Sequence, residues 1–176
     1  MLPPRPPDGY SDERLDSTIH NRAAFACGNS ELDDFLRTKA SQNQEKHISA
    51  TRVVLQTGKR DIVGYVTLAR HDLPVIELPE TAKRITNRDS IPTMLLARMA
   101  VDVAHQGRGL GDFLIRHSLH CGYNLWDTVG CHAIVVDAKN AGVKALYEKY
   151  GFIPFNSRPL RLYLPIGTLV KLVDSR

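Results

Sequence analysis

Three glycines lie close behind a glutamine in the middle of the chain, in the turn Gln106-Gly107-Arg108-Gly109-Leu110-Gly111. An apolar run from Met94 to Val101 precedes this turn, and its length predicts a buried strand. Apolar residues at spacings of three, four and seven follow it and predict a helix. Backbone N–H groups at a helix start are free to bind an anion, and the helix dipole favours negative charge there. Strand, glycine turn and helix therefore predict a phosphate cradle.

The turn lacks the signatures of two common phosphate-binding loops. No Gly-Lys-Ser/Thr follows the glycines, so the turn is not a P-loop. Gly107 and Gly109 match the start of the dinucleotide-binding fingerprint, but Asp112 stands where that fingerprint requires glycine or alanine. Taken alone, the turn is equally typical of a surface connection between a strand and a helix.

A second stretch, further along the chain, carries a tyrosine at helical spacing. It begins at Asn140, a residue type that commonly caps the start of a helix. Val143, Leu146 and Tyr147 follow at helical spacing, and Gly151 ends the pattern. On spacing alone, Tyr147 is a packed core residue on the apolar side of this helix.

Both stretches resemble motifs of the GNAT family of N-acetyltransferases. The pattern Gln106-x-x-Gly109-x-Gly111 is similar to motif A, Gln/Arg-x-x-Gly-x-Gly/Ala, which holds the diphosphate of acetyl-CoA in that family. The segment from Asn140 to Phe152 is similar to motif B. Two motifs in the family's order, each on the expected element, imply an α/β protein with the GNAT fold. In that fold a mixed central sheet with a splayed strand pair is flanked by helices.

The resemblance implies where the co-substrate acetyl-CoA binds. In the family, the strands that carry Met99 and Val135 diverge at their C-terminal ends, and the pantetheine arm hydrogen-bonds to the freed backbone like an added strand. The diphosphate is expected over the glycine turn, and no metal ligand is expected. The cofactor-binding residues implied are Met99, Ala100, Val101, Gln106, Gly107, Arg108, Gly109, Leu110, Gly111 and Asn140.

The resemblance also implies a catalytic role for Tyr147. Family members place at this helix position the general acid that protonates the departing CoA thiolate. A phenol with a pKa of about 10 can donate a proton to a thiolate whose conjugate thiol has a pKa of about 8.5, once that thiolate is desolvated. A backbone N–H of Met99 or Val101 is the expected donor to the oxyanion. No side chain stands out as a general base, so orientation of the amine is expected to supply much of the acceleration.

Further stretches resemble one branch of the family, the TacT-like toxins of type II toxin–antitoxin modules. They are Phe25-x-Cys27-Gly28, Leu32-Asp33-x-Phe35-Leu36, the run from Ile91 to Asp102 with Arg98 inside it, and Arg161 to Pro165. Ala97 departs from the glycine common in the branch, and Arg98 is expected to hold the strand or an acidic neighbour. These toxins acetylate the α-amino group of aminoacyl-tRNA and block translation. The resemblance implies that activity, a ribbon-helix-helix antitoxin and a homodimer.

Six basic residues are candidates for contacts with tRNA phosphates, each contact weakening with salt. They are Arg37, Lys39, Lys46, Lys83, Arg84 and Arg88. The net charge of +4 and pI near 9.0 permit an anionic partner. Scattered solubilising charge is the alternative interpretation.

Composition sets the outer bounds. A chain of 176 residues suffices for one domain with a sizeable core, and 43% apolar with 24% charged residues is a globular balance. Three cysteines without metal-site spacing, and no run long enough to span a membrane, predict a cytoplasmic protein. Four prolines in the first nine residues predict a flexible tail over residues 1–12. A single GNAT domain is expected over residues 13–176.

The remaining patterns predict the elements that position both motifs. A helix is expected to begin at Ser30, which resembles a capping box with Asp33. Strands are expected at 50–56 and 61–68, joined as a hairpin, and at 131–137, 152–155, 160–164 and 168–173. A short helix is expected within 79–85. Helices alternating with strands in this order indicate an α/β protein with a mixed sheet.

Two other functions remain open from the sequence. One is a GNAT N-acetyltransferase of a small amine or a protein N-terminus, which predicts turnover with such amines. The other is a non-catalytic acyl-CoA-binding regulator, which predicts CoA binding but no activity that depends on Tyr147.

Overall fold

The computed structural model describes residues 1–83 and 87–174. Its strands are β1 (Tyr10–Arg14), β2 (Ala50–Gln56), β3 (Ile62–Pro74), β4 (Ser90–Val101), β5 (Ala133–Asp137), β6 (Ile153–Pro154) and β7 (Arg161–Pro165). Its α-helices are α1 (Ser30–Asp34), α2 (Ala40–Glu45), α3 (Glu80–Lys83), α4 (Leu110–Val129), α5 (Ala141–Glu148) and α6 (Ile166–Asp174). No helix among these residues is long and apolar enough to cross a membrane.

The strands form a mixed sheet in the order β1-β2-β3-β4-β5-β7-β6. β4 and β5 are parallel, whereas β1 with β2, β2 with β3, β5 with β7 and β6 with β7 are antiparallel. A parallel pair requires a crossover connection, and α4 lies in that connection. The predicted α/β class, the mixed sheet and the β2–β3 hairpin are confirmed.

The chain divides into two compact units, and the first comprises Leu2–Ala69 and Ala97–His120. Its core includes Leu36, Val53 and Tyr65, all fully buried. Phe25 packs edge-to-face on the Tyr65 ring at a centroid distance of 5.5 Å. The alternating residues of β2 and the apolar side of the helical segment after Gly28 meet in this core, as their spacing predicts.

The second unit comprises Arg70–Leu96 and Cys121–Arg176. Its core contains Ala133 and Val135 of β5 together with Phe155 and Tyr163, whose ring centroids lie 4.8 Å apart. β5 is buried at four of its five residues, as expected for a strand that has neighbours on both sides.

Two local predictions are wrong. The α1 helix is capped by Asn29, whose side chain accepts a hydrogen bond from the Leu32 N–H, and not by Ser30. The strand predicted at 168–173 is instead part of α6. Ile166 and Leu169 are buried one helical turn apart, a spacing that the β-branched composition of this segment obscured.

The N-terminal residues are more ordered than their proline content suggests. Tyr10, Ser11 and Asp12, predicted to lie in the tail, belong to β1 and pair with β2. Residues 1–9 precede the first strand. The single domain over residues 13–176 stays a prediction.

Gly122 of α4 lies close to the sheet within the second unit. A Cβ at this position would lie 2.5 Å from Ile134 Cδ1 and 3.4 Å from Met94 Cε. Alanine in a helix interior is normally more stable than glycine by about 1 kcal/mol. Overpacking costs about 1–3 kcal/mol, so we expect Gly122→Ala to destabilise the protein by about 1 kcal/mol and to lower its melting temperature.

The matched control for this substitution is Gly167→Ala. Gly167 lies in the first turn of α6, and a Cβ there meets no atom within 4 Å. Thermal unfolding should therefore show a lower melting temperature for Gly122→Ala and an unchanged or higher melting temperature for Gly167→Ala. A melting temperature of Gly122→Ala at or above that of the unsubstituted protein would show that this contact is not tight.

Candidate functional site

The end of β4 extends past its pairing with β5. The register joins Thr93–Leu96 of β4 to Ala133–Val136 of β5, and β4 continues through Ala97–Val101 beyond it. Met99 and Val101 are half-buried, and Ala100 is buried. Gly64 of β3 lies close to this segment, since a Cβ on it would be 3.6 Å from the Ala100 carbonyl oxygen. The family resemblance implies that the pantetheine arm binds along this segment.

Asp102 fixes the exit of the chain from β4. Its backbone N–H donates to the Val63 carbonyl at 2.9 Å. Its two carboxylate oxygens accept hydrogen bonds from the N–H groups of Ala104 at 2.9 Å and Ala26 at 3.0 Å. The Val103 N–H donates in turn to the Ala26 carbonyl at 2.9 Å. Asp102 therefore ties the approach to the glycine turn to residues 25–28, a role that the sequence did not indicate.

The exposed Gln106 side chain links the glycine turn to the backbone of the preceding segments. Its amide nitrogen donates to the Val101 carbonyl at 3.1 Å and to the Cys27 carbonyl at 3.4 Å. Burial raises the pKa of the Cys27 thiol to about 11, so this cysteine stays protonated and unreactive at neutral pH. Gln106 thus acts on the shape of the turn, and its amide is already engaged with backbone carbonyls.

The glycines have the conformation and the space that an anion cradle requires. Gly107 and Gly109 have φ of +75° and +83°, which favour glycine. A Cβ at Gly107 or Gly111 would meet no atom within 4 Å, so the backbone there is open. Arg108 is exposed beside them, and the buried Leu110 begins α4. The turn therefore presents backbone at the N-terminus of a long helix.

Asn140 caps α5 in the second unit. Its side-chain oxygen accepts a hydrogen bond from the Val143 N–H at 3.0 Å, and its own backbone is extended. The capping role that its residue type predicts is confirmed. Its cofactor contact stays a prediction.

Tyr147 is 3% exposed and lies on the inner side of α5. Its ring packs edge-to-face against Phe152 at a centroid distance of 5.4 Å. Burial raises the pKa of its phenol above the usual value of 10.0. The side chain is thus held by packing and keeps its proton at physiological pH, which is the state that a proton donor requires.

Arg98 is held by an aromatic ring. Its guanidinium carbon lies 5.3 Å from the centroid of the Phe35 ring, and Nη1 donates to the Ala97 carbonyl at 2.7 Å. Phe35 in turn stacks on Tyr65 at 6.3 Å. These contacts support the expectation that Arg98 holds the strand, through an aromatic neighbour.

The predicted tRNA-binding residues differ in their exposure and in their contacts within the protein. Arg37 donates from Nη2 to the Phe25 carbonyl at 2.5 Å and pairs with Asp34, so it is partly engaged within the first unit. Lys39 and Lys46 of the same unit are exposed at the two ends of α2. Their exposure leaves both lysines able to meet a polyanion.

The remaining basic candidates belong to the stretch between β3 and β4. Lys83 and Arg88 line one hollow of about 430 Å³ in the second unit, together with Val75, Ile76 and Asp89. Lys83 also pairs with Glu80. Arg84 lies outside the described residues. Over residues 1–83 and 87–174, no cluster of histidine, cysteine and carboxylate side chains could hold a metal ion.

Comparison with known proteins gives consistent results across sequence and fold. The family model for the acetyltransferase (GNAT) domain matches residues 49–154. A protein of Mycobacterium tuberculosis named "tRNA-acetylating toxin" is 33% identical over 89% of this chain and 92% of its own length. A structure of AtaT complexed with acetyl-methionyl-tRNAfMet has a TM-score of 0.85 at 26% identity, covering 93% of this chain and 99% of that one.

A second solved structure, of AtaTR bound with AcCoA, has a TM-score of 0.82 at 27% identity and covers 94% of this chain and 99% of that one. The family model spans more than half of the chain and contains the whole of β4, the glycine turn and α5. The protein therefore belongs to the GNAT acetyltransferase family.

Proposed function

We propose that this protein is an acetyl-CoA-dependent toxin that acetylates the α-amino group of aminoacyl-tRNA and so blocks translation. The observation that carries the proposal is its 33% identity, over 89% of the chain, to a protein named "tRNA-acetylating toxin". The structural similarity to AtaT in complex with an acetylated aminoacyl-tRNA supports the same acceptor. The similarity to AtaTR bound with AcCoA supports the same acetyl donor.

The acetyl-CoA site in this proposal uses backbone rather than charged side chains. The diphosphate binds over Gly107, Gly109 and Gly111. Open space at Gly107 and Gly111, and positive φ at Gly107 and Gly109, let backbone N–H groups approach it. The pantetheine amides pair with Met99 and Val101 on the part of β4 that lies beyond its register with β5. Arg108, exposed on the turn, adds positive charge near the phosphates.

The reaction forms a C–N bond, breaks a C–S bond and includes three proton transfers. The neutral α-amine attacks the thioester carbonyl carbon, which forms a C–N bond and places negative charge on the carbonyl oxygen. A backbone N–H of Met99 or Val101 stabilises that oxyanion. When the C–S bond breaks, the Tyr147 phenol protonates the CoA thiolate and is reprotonated from solvent. The surplus proton of the new amide nitrogen passes to water.

The acceptor explains why no general base is required. An aminoacyl ester withdraws electrons from its α-amine, whose pKa falls below the ~7.7–8.0 of a free α-amino group. Much of the amine is therefore neutral at physiological pH. A small aliphatic amine, with a higher pKa, would need a base that the sequence does not offer.

The direct test is acetyl transfer from labelled acetyl-CoA to purified tRNA. Charged tRNA should acquire label in a Tyr147-dependent reaction, and the same tRNA after deacylation should acquire none. Label on small amines or protein N-termini at comparable kcat/KM would favour an ordinary N-acetyltransferase. Binding of acetyl-CoA without transfer to any of these acceptors would favour a regulator and overturn the proposal.

The pH profile separates the amine from the phenol. Corrected for spontaneous ester hydrolysis, kcat/KM is expected to rise with pH through a single pKa below ~7.7–8.0 and then stay level to about pH 9.5. The rise reflects loss of the amine proton. The plateau reflects Tyr147, whose pKa burial raises, so that the phenol stays protonated. A decline that begins near pH 8 would contradict Tyr147 as the donor.

The exposed lysines of the first unit give a test of the tRNA surface. Combining Lys39→Ala with Lys46→Ala should weaken tRNA binding and reduce the slope of log Kd against log salt by roughly one per lost phosphate contact. Lys59→Ala is the control, because Lys59 is exposed in the β2–β3 turn and contacts Gln56. Filter binding over a range of salt concentrations measures all three proteins. Equal slopes would place the tRNA elsewhere.

The proposal includes a ribbon-helix-helix antitoxin, a homodimer and a cytoplasmic site of action, where charged tRNA is found. Expression of the protein alone should arrest growth, and co-expression with its cognate antitoxin should relieve the arrest. Light scattering on the purified protein measures the dimer. A monomer at micromolar concentration would remove that part of the proposal.

A further inference from the structure

We propose that residues 7–10, which lead into β1 and include its first residue, position the glycine turn for the diphosphate of acetyl-CoA, with Tyr10 as the positioning residue. This inference rests on the proposed function and deepens its cofactor site. The segment precedes the part of the chain that the GNAT family model matches, residues 49–154. It carries neither of the two motifs identified from sequence.

Tyr10 reaches the residue that introduces the turn. Its hydroxyl is hydrogen-bonded to His105 Nδ1 at 3.0 Å, and the two rings meet edge to face with centroids 5.8 Å apart. His105 directly precedes Gln106, whose amide donates to the Val101 and Cys27 carbonyls. A histidine nitrogen accepts from a phenol when neutral and donates to its oxygen when protonated, so the contact can form in either state.

Pro7 lies against the turn itself. A Cβ on Gly109 would be 3.6 Å from Pro7 Cγ, an ordinary packing distance. Pro7 is held in place because its carbonyl accepts the Tyr10 N–H at 3.1 Å, which closes a turn with Gly9 at φ +82°. The Gly9 carbonyl accepts the Thr57 N–H at 3.0 Å. The segment is therefore anchored to the end of β2 and places Pro7 beside Gly109 of the turn.

The glycine turn needs such support to bind tightly. Glycine loses more backbone freedom on ordering than any other residue, and the turn carries three glycines within five positions. A loop that is already ordered in the free protein binds more tightly, because less conformational entropy is lost with the ligand. Pro7 and Tyr10 limit the movement of the turn at Gly109 and at His105.

A role in positioning differs from a role in folding by its dependence on the ligand. If the segment acts on the diphosphate site, loss of its contacts should weaken the binding of acetyl-CoA, which has a diphosphate. The affinity for acetyl-pantetheine, a ligand that lacks the diphosphate, should stay unchanged. A general loss of stability or of β4 geometry would weaken both ligands together.

The experiment is calorimetry on the full chain with Tyr10→Ala, Tyr10→Phe and Pro7→Gly. Acetyl-CoA is titrated directly, and acetyl-pantetheine is measured by its displacement of acetyl-CoA. We expect Tyr10→Ala to weaken acetyl-CoA about tenfold and Tyr10→Phe, which lacks only the hydrogen bond, about threefold. Acetyl-pantetheine should bind all variants alike. Tyr123→Phe is the control, because Tyr123 packs edge-to-face on Trp126 within α4, in the second unit.

The outcomes separate the two levels of the proposal. Equal weakening of both ligands, or unchanged acetyl-CoA affinity in Tyr10→Ala and Pro7→Gly, overturns the positioning role and leaves the proposed function standing. If Tyr10→Ala proves unstable by thermal unfolding, Tyr10→Phe and Pro7→Gly decide the matter. Absence of acetyl-CoA binding by the unsubstituted protein overturns the proposed function and this inference with it.

Discussion

Replacing Tyr147 by phenylalanine is expected to lower kcat and kcat/KM for acetyl transfer together, by about 10²–10⁴-fold. In the proposed mechanism the hydroxyl acts only when the thiolate departs, so the dissociation constant of acetyl-CoA should stay within about twofold. Burial is the cause of the raised pKa of this tyrosine, and its ring packs on Phe152. Phenylalanine retains that packing, so the melting temperature should change little.

The matched control is Tyr150→Phe, one helical turn further along the chain. Tyr150 is half-buried and follows the end of α5, where its N–H donates to the Tyr147 carbonyl. Rapid-quench measurement with charged tRNA compares both variants in a single turnover. Growth arrest on induction should disappear with Tyr147→Phe and persist with Tyr150→Phe. The reverse pattern would move the proton donor to Tyr150.

Gly111→Leu is expected to weaken acetyl-CoA binding by about 100-fold or more. This is the size of effect expected when the diphosphate loses its contacts with the turn. A side chain at Gly111 meets no protein atom within 4 Å, so it would project into the space assigned to the diphosphate. Gly111 lies in the first turn of α4 without a positive φ, and leucine is a far better helix former than glycine. Stability should therefore hold or rise while binding is lost.

Gly167→Leu is the control for that substitution, because Gly167 also lies in the first turn of a helix with open space around it. It should gain the same helix propensity and bind acetyl-CoA normally. Calorimetry and thermal unfolding on both variants give the comparison. Normal acetyl-CoA affinity in Gly111→Leu would show that the diphosphate does not approach the turn at this residue.

Local patterns predicted much of this architecture. The strand at 50–56 has its predicted bounds, and α5 begins after Asn140 as that residue type indicates. The positive φ of Gly107 and Gly109 agrees with a glycine turn between strand and helix. Each of these features depends on residues that are neighbours in the chain, where spacing and residue type carry the information.

Contacts between residues distant in the chain could not be predicted in this way. Asp102 receives the Ala26 N–H, and Tyr10 meets His105, across loops that no local pattern links. Arg37, a predicted contact for tRNA phosphates, also donates to the Phe25 carbonyl. The sequence spacing places Arg37 in a helical segment but does not show that the Phe25 carbonyl lies beside it.

The hydrogen bonds of the Gln106 amide to two backbone carbonyls bear on which residues can replace glutamine at this position. Two backbone carbonyls share that one nitrogen, and an apolar replacement would remove the side-chain donor from both. Arginine carries five N–H donors in a planar fork and can serve both carbonyls while adding a full charge. We therefore expect the position to accept arginine as well as glutamine, and exchanging them would change the local electric field while preserving the loop.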